Sequence, residues 1–240
     1  MRDFTYTKYA ELLKTFLKNS YKIYTVEQYL KKKPKENFVI LRHDVDRALS
    51  NALQLAKIEA SLGIKSTYYF RTSTFKLPIV KQISEMGHEI GYHYEILFKA
   101  KGDYKLAIKL FEEELPNMRK HYPIKTICAH GNIFMKGINY DIWKKYDFKK
   151  YGLLGEAYLS LNKEIKSGIY FSDTGRQWNK VKTTDNLINL ISSKKQNFYI
   201  LARPDKWNNN LFSWGKMLIL QKIKNFVKEI LKNFGFAGGK

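Results

Sequence analysis

The stretch that decides the fold is Phe38 to Arg47, FVILRHDVDR. Its apolar half, Phe38-Val39-Ile40-Leu41, reads as a buried strand, and the strand runs straight into His43, Asp44 and Asp46. Removing that much charge from water is costly unless a metal, a partner or a substrate compensates. A strand built this way predicts a site at its C-terminal end.

Outward from this stretch, strands and helices alternate. Leu49, Ala52, Leu53, Ala56 and Ala60 form one apolar stripe of a helix that Gly63 stops. KSTYYFRT (65–72) reads as a second strand, LPIVKQISEMG (77–87) as a short helix and HEIGYH (88–93) as a third strand. A helix from Asp103 is expected to end or kink at Pro116, and IKTICAHG (124–131) is a fourth strand. INYDIWKKY (138–146) looks helical, and LLGEAYLSL (153–161) and SGIYFSDTG (167–175) look like strands. A helix, TDNLINLISS (184–193), and the strand NFYILARP (197–204) follow. Residues 1–36 read as a helical extension and 214–235 as an amphipathic C-terminal helix, all within one domain spanning 1–240. Such alternation implies an α/β fold with a mainly parallel sheet, either an open doubly wound sheet or a barrel. No glycine-rich phosphate loop follows the first strand, which weighs against a nucleotide-binding version.

The chain has 240 residues, 44% hydrophobic and 15% aromatic, enough for a large core. No apolar run reaches the length of about 18 residues that a membrane-spanning helix needs, and the N-terminus lacks the apolar segment of a secretory signal. A single cysteine, Cys128, excludes an internal disulfide framework and suits the cytoplasm. The formal net charge is +21, a field that attracts anions. The cations are overwhelmingly Lys, whereas phosphate and base recognition favours Arg, so nucleic acid is not the expected partner.

Polar residues gather at the predicted strand ends. His43, Asp44 and Asp46 end the first, Arg71 the second, and His93 with Glu95 the third. His130 and Asn132 end the fourth, Asp173 with Arg176 the next, and Arg203 with Asp205 the last. In a parallel barrel these ends share one rim, which carries the active site. Each taken singly has a bland reading: a lone strand-end His as a hydrogen-bonded structural group, Asp44 as a helix N-cap, His121 as a loop residue. Together, His and Asp suit a divalent transition metal such as Zn²⁺, with Ni, Co or Mn as alternatives, and a neighbouring carboxylate suits a base: a hydrolase design.

LRHDVD (41–46), ALQLAKIEASLGIKSTYYF (52–70) and GHEIGYH (87–93) together resemble the polysaccharide deacetylases of carbohydrate esterase family 4, the NodB-homology fold, and most of all their intracellular branch associated with surface glycans. Weaker echoes lie in ICAHGN, YFSDTGRQW and LARPDKW. The resemblance implies a distorted (β/α) barrel of about seven strands and metal-dependent removal of an acetyl group from an N-acetylated sugar. It implies Asp44 as catalytic base and Asp46 and His93 as metal ligands; Asp173 and Arg203, at the ends of their own strands, are the further catalytic candidates. Two positions depart from the family pattern. Leu97 stands where a second metal-binding His is usual, leaving His130 or Glu95 to complete the site. Arg203 stands where a His usually protonates the leaving amine, and Arg cannot donate at neutral pH, although it can hold an oxyanion or an anionic substrate.

Arg71, Tyr94, Glu95, Asn132, Arg176, Trp178 and Trp207 are the candidate substrate contacts; the aromatic ones could stack on sugar rings or simply pack. The implied partner is a saccharide, either anionic or lipid-linked, in glycan biosynthesis in the cytoplasm. A catalytically impaired relative that binds a glycan or nucleotide sugar is the alternative. In the C-terminal helix, Ile219, Leu220, Ile223, Phe226, Val227, Ile230, Leu231 and Phe234 share one face and lysines fill the rest. That pattern fits packing on the barrel or peripheral contact with an anionic membrane.

Overall fold

The computed structural model describes residues 2–131 and 139–212, and beyond them 214–216, 218–220 and 223. Eight strands form one sheet: β1 (Lys22–Tyr24), β2 (Phe38–Val45), β3 (Thr67–Phe70), β4 (Glu89–Tyr94), β5 (Thr126–Ala129), β6 (Gly155–Glu156), β7 (Tyr170–Ser172) and β8 (Phe198–Leu201). Their order is β6-β5-β4-β3-β2-β8-β7, and every pairing is parallel. The sheet curls into a distorted (β/α) half-barrel, with no ladder joining β6 to β7 among the described residues. The helices are α1 (Tyr6–Lys18), α2 (Val26–Lys32), α3 (Leu49–Ser61), α4 (Leu77–Glu85), α5 (Ile96–Lys99), α6 (Tyr104–Arg119), α7 (Asn162–Lys166) and α8 (Thr184–Ser193).

Several elements differ from the sequence expectation. The N-terminal extension is not wholly helical: β1 pairs with the first half of β2, Lys22 opposite Phe38 and Tyr24 opposite Ile40, before β3 takes over from Arg42. Three residues are too few to show a strand period. Pro116 lies inside α6, which continues to Arg119. The strand expected over 153–161 shrinks to Gly155–Glu156, and the helix at 138–146 is a 3₁₀ segment, Asn139–Lys144. Of the C-terminal helix, only 214–216, 218–220 and 223 fall within the described residues, and these are helical.

Strand side chains alternate faces, so one residue fixes the orientation of its neighbours. All eight residues of β2 are buried. Val39 and Leu41 face the outer layer containing α1, α3 and α8, while Val45 packs toward α3 and α4. Phe38 and Ile40 face the barrel interior with Tyr69, Cys128 and Tyr199. Arg42 and Asp44 continue that inner row toward the mouth. Gly91 of β4 also faces inward: a Cβ there would meet the Tyr69 ring at 2.4 Å and the Thr126 carbonyl at 3.1 Å, so the close approach requires glycine.

His43, on the outer face of β2, is the first of the three charges to be answered. Its Nε2 lies 2.8 Å from Glu59 Oε1 of α3, and its Nδ1 donates to the Ala202 carbonyl at 2.6 Å. Glu59 also accepts from Tyr9, from Ser66 Oγ at 2.6 Å and from the Tyr68 hydroxyl at 2.9 Å. His88 joins the cluster, accepting from the Ser66 amide and donating to the Ala56 carbonyl at 3.1 Å. Burial opposes the charge on Glu59, but His43 and its hydrogen bonds prevail and bring its carboxyl down to about 2. Asp44 does not cap α3, whose N-cap is Ala48.

A carboxyl lowered in the folded state stabilises the fold above its unfolded pKa and loses that contribution as pH falls. A Glu59→Gln variant is expected to be destabilised by about 3 kcal/mol at neutral pH, as for a broken buried pair. The gap from wild type should narrow as pH falls from about 4.5 toward about 2. Urea denaturation across that range checks it; a gap independent of pH would contradict the charged state of Glu59.

Candidate metal centre

Three parallel strands deliver their C-terminal ends to one place. His93 points inward from β4, His130 follows β5, and Asp46 sits just past β2 where the chain turns, its amide bonded to the Asp44 carbonyl at 3.1 Å. Asp46 Oδ1 lies 3.3 Å from His93 Nε2 and 2.9 Å from His130 Nδ1, and those two nitrogens are 3.2 Å apart. His93 Nδ1 donates to the Cys128 carbonyl at 2.9 Å, which fixes the ring and directs Nε2 into the cluster. The set is open on one side: the side chains of Asp46 and His130 are 16% and 19% exposed, that of His93 only 2%.

These residues fit a divalent ion. Ligands about 2.0–2.1 Å from a tetrahedral centre stand roughly 3.3 Å apart, close to the spacings here. Asp46 Oδ1 is buried and makes no directed hydrogen bond, as expected of an atom shaped for a cation. Burial alone would raise the Asp46 carboxyl, but His130 and His93 hold it far below the usual range. Asp44, His93 and Cys128 also converge, but that set suits a metal poorly. The Cys128 thiol is driven well up by burial, despite the Arg42 guanidinium donating to its sulfur at 3.0 Å, so no thiolate is on offer.

Asp44 lies beside the triad, 2% exposed. Burial would raise its carboxyl, yet Arg42, His93 and Arg203 together hold it below the ordinary value. Arg42 is the less expected partner. It is fully buried, with its Nε 3.8 Å from Asp44 Oδ1 and its guanidinium over the rings of Tyr158 (4.4 Å) and Tyr199 (5.3 Å). Neither Arg42 nor Cys128 is among the site residues expected from the sequence. The signal for Arg42 was its position two residues before Asp44, on the same strand face.

Just past β7 and β8, on the other side of β2 from β3, Asp173 accepts from the Arg203 amide (2.8 Å), from Arg203 Nη1 (3.4 Å) and from the Trp207 indole (3.0 Å). Burial lifts the Asp173 carboxyl to about 6 against the pull of Arg203. Arg203 Nη1 also donates to Ser172 and Thr174. Leu97 is buried in the outer core with the helices, and His130 stands where the triad needs its second imidazole.

Of the expected substrate contacts, Arg71 and Glu95 bond each other at the rim at 2.5 Å, and Glu95 is not among the residues that converge with Asp46 and His93. Tyr94 is corrected. The alternation that turns His93 inward turns Tyr92 and Tyr94 outward, and Tyr94 is buried against Phe111 and Trp143. Trp178 and Trp207 are likewise fully buried, packed on Phe4 and each other, so neither offers a face for stacking. Arg176 reaches away to the Trp214 carbonyl at 2.9 Å. Asn132 lies outside the described residues.

No protein-family model and no curated protein sequence matches the chain. Among solved structures, the chain is similar to a family 4 carbohydrate esterase from Streptomyces lividans in complex with acetate. The TM-score is 0.46 and the identity 13%, over 86% of this chain and 94% of that one.

The geometry gives a direct expectation. Protein purified without chelator and dialysed against Zn²⁺ should hold one equivalent by elemental analysis, and Asp46→Asn and His93→Ala should each lose stoichiometric binding. Cys128→Ser should keep it. Loss of metal with Cys128→Ser and retention with Asp46→Asn would assign the ion to the other cluster.

Proposed function

We propose that this chain is a metal-dependent hydrolase that removes an acyl group, N-acetyl in the first instance, from a sugar. The observation that carries the proposal is the convergence of His93 and His130 on a buried carboxylate oxygen of Asp46, with the ionised Asp44 alongside. The sequence resemblance of LRHDVD and GHEIGYH supplies the substrate class. Zn²⁺ is the ion that suits two imidazoles and a carboxylate best, with Ni, Co or Mn as alternatives. Bound there, it would act as a Lewis acid on the acyl carbonyl and make water more acidic.

The chain's own residues account for the rest. Asp44, held as a carboxylate, takes a proton from the water that attacks the acyl carbon. When the carbon–nitrogen bond breaks, the leaving nitrogen needs that proton back. Arg203 cannot provide it, so Asp44 serves as both base and acid. Asp173, gripped by three donors, acts as the anchor that fixes Arg203 and not as a proton donor. Arg203 in turn presents its cation to an oxyanion or to an anionic group of the saccharide. The physiological setting we infer is surface-glycan assembly in the cytoplasm, on an anionic or lipid-linked saccharide. A second reading, a glycan-binding relative without turnover, is favoured by one observation: Arg203 occupies the place of the expected acid.

Acetate release from a panel of N-acetylated sugars tests the proposal. Asp44→Asn should keep its metal and lose turnover on the order of a hundredfold or more. Unchanged turnover would remove Asp44 from the chemistry, and no release from any sugar by the metal-loaded wild type would favour the binding-only reading.

Arg203→Lys should weaken a uronic-acid oligosaccharide about tenfold, because the planar fork is lost, and leave a neutral oligosaccharide unaffected. Titration calorimetry distinguishes the two. Equal weakening of both would return Arg203 to a purely structural role.

A further inference from the structure

The five most exposed large apolar side chains among the described residues all lie in one stretch: Phe212 (81%), Leu211 (66%), Ile219 (62%), Ile223 (53%) and Leu220 (46%). Elsewhere such side chains are scattered singly and none exceeds 45%. The described residues of this stretch are helical, and in the sequence Phe212, Ile219, Leu220 and Ile223 recur at helical spacing. In the sequence the stripe continues through Phe226, Val227, Ile230, Leu231 and Phe234. Lys216, Lys222, Lys224, Lys228 and Lys232 lie between these positions, with Glu229 the only acid from 211 to 234.

The start of the stretch is tied to the barrel domain. The Trp214 indole donates to the Asp3 carbonyl at 2.7 Å, and Arg176 donates to the Trp214 carbonyl while its guanidinium lies 5.1 Å from that ring. Beyond Trp214, Leu218 is half-buried while Ile219, Leu220 and Ile223 are exposed, so the barrel leaves these three side chains uncovered.

From this face we infer that the C-terminal segment docks on an anionic lipid surface, lying in the interface with its apolar stripe in the headgroup–acyl boundary. Two features select that occupant. Lysines alongside a continuous apolar stripe pair one surface with both lipid properties, charge and hydrocarbon. A second copy of the chain would instead bring together two molecules of net charge +21. The segment lies on the bilayer and does not cross it, since lysines interrupt the stripe and no described helix is long and apolar enough to span.

Flotation of the full-length protein with phosphatidylcholine vesicles, with and without phosphatidylglycerol, tests the inference. Binding is expected only to the anionic vesicles and should fall with added salt. Ile219→Ser with Ile223→Ser should reduce the bound fraction about tenfold or more, and so should Lys222→Glu with Lys228→Glu, which leaves the apolar face intact. Both pairs should keep the wild-type melting temperature, because the serine sites are exposed and the lysines are not part of the apolar stripe. No flotation of the wild type, equal flotation with neutral vesicles, or flotation unchanged by both pairs would each overturn the inference. A dimer in sedimentation velocity that the serine pair dissolves, without vesicle binding, would assign the face to a second copy. A large fall in melting temperature with the serine pair would assign it to the core.

Discussion

A strand buried on both faces that nonetheless carries Arg42, His43 and Asp44 is the constraint on which this molecule rests. None of the three can be left unanswered in a medium of low polarity, and each sits on a face fixed by the strand period. On the outer face, His43 is met by Glu59, which draws α1, α3 and β3 into one hydrogen-bonded cluster through Tyr9, Ser66 and Tyr68. On the inner face, Arg42 is met by tyrosine rings, the Cys128 sulfur and Asp44. The fold around β2 is therefore organised by fixed polar partners as much as by apolar burial.

The candidate site inherits this order. Asp44 is ionised because Arg42 beneath it, and His93 and Arg203 beside it, outweigh burial. The triad of Asp46, His93 and His130 draws on three strand ends whose spacing is set by ladder geometry, and a backbone carbonyl fixes the orientation of His93. Around the mouth, Arg71 with Glu95 and Arg203 with Asp173 form ion pairs that hold the rim in shape before any ligand arrives. Such preorganisation lowers the cost of reaching a productive geometry.

The surface separates into distinct regions. The mouth carries paired charges of both signs, whereas the excess of lysine that gives the chain its net charge is spread over helices and the C-terminal segment. Arg176, which looks in the sequence like a rim residue, serves the second region: it follows a backbone turn at positive φ and reaches Trp214.

The alternating α/β order and the polar end of FVILRHDVD were legible in the sequence by itself, because hydrophobic period and strand-end polarity are local properties; that Asp46 and His93 act together was implied by the family resemblance. It left open how the triad closes: Leu97 and Glu95 are nearer in sequence, yet His130 completes it, since β5 lies beside β4 and parallel pairing brings their ends together. Trp178 and Trp207 read equally well as sugar platforms or core, and only packing against Phe4 and α1 decided for core. Tyr94 was in principle legible, because His93 inward means Tyr94 outward. Tertiary structure alone decided that Arg42 supports Asp44, that Asp173 anchors Arg203, and that β1 extends the sheet. Each of these depends on contacts between segments far apart in the chain, which no local pattern encodes.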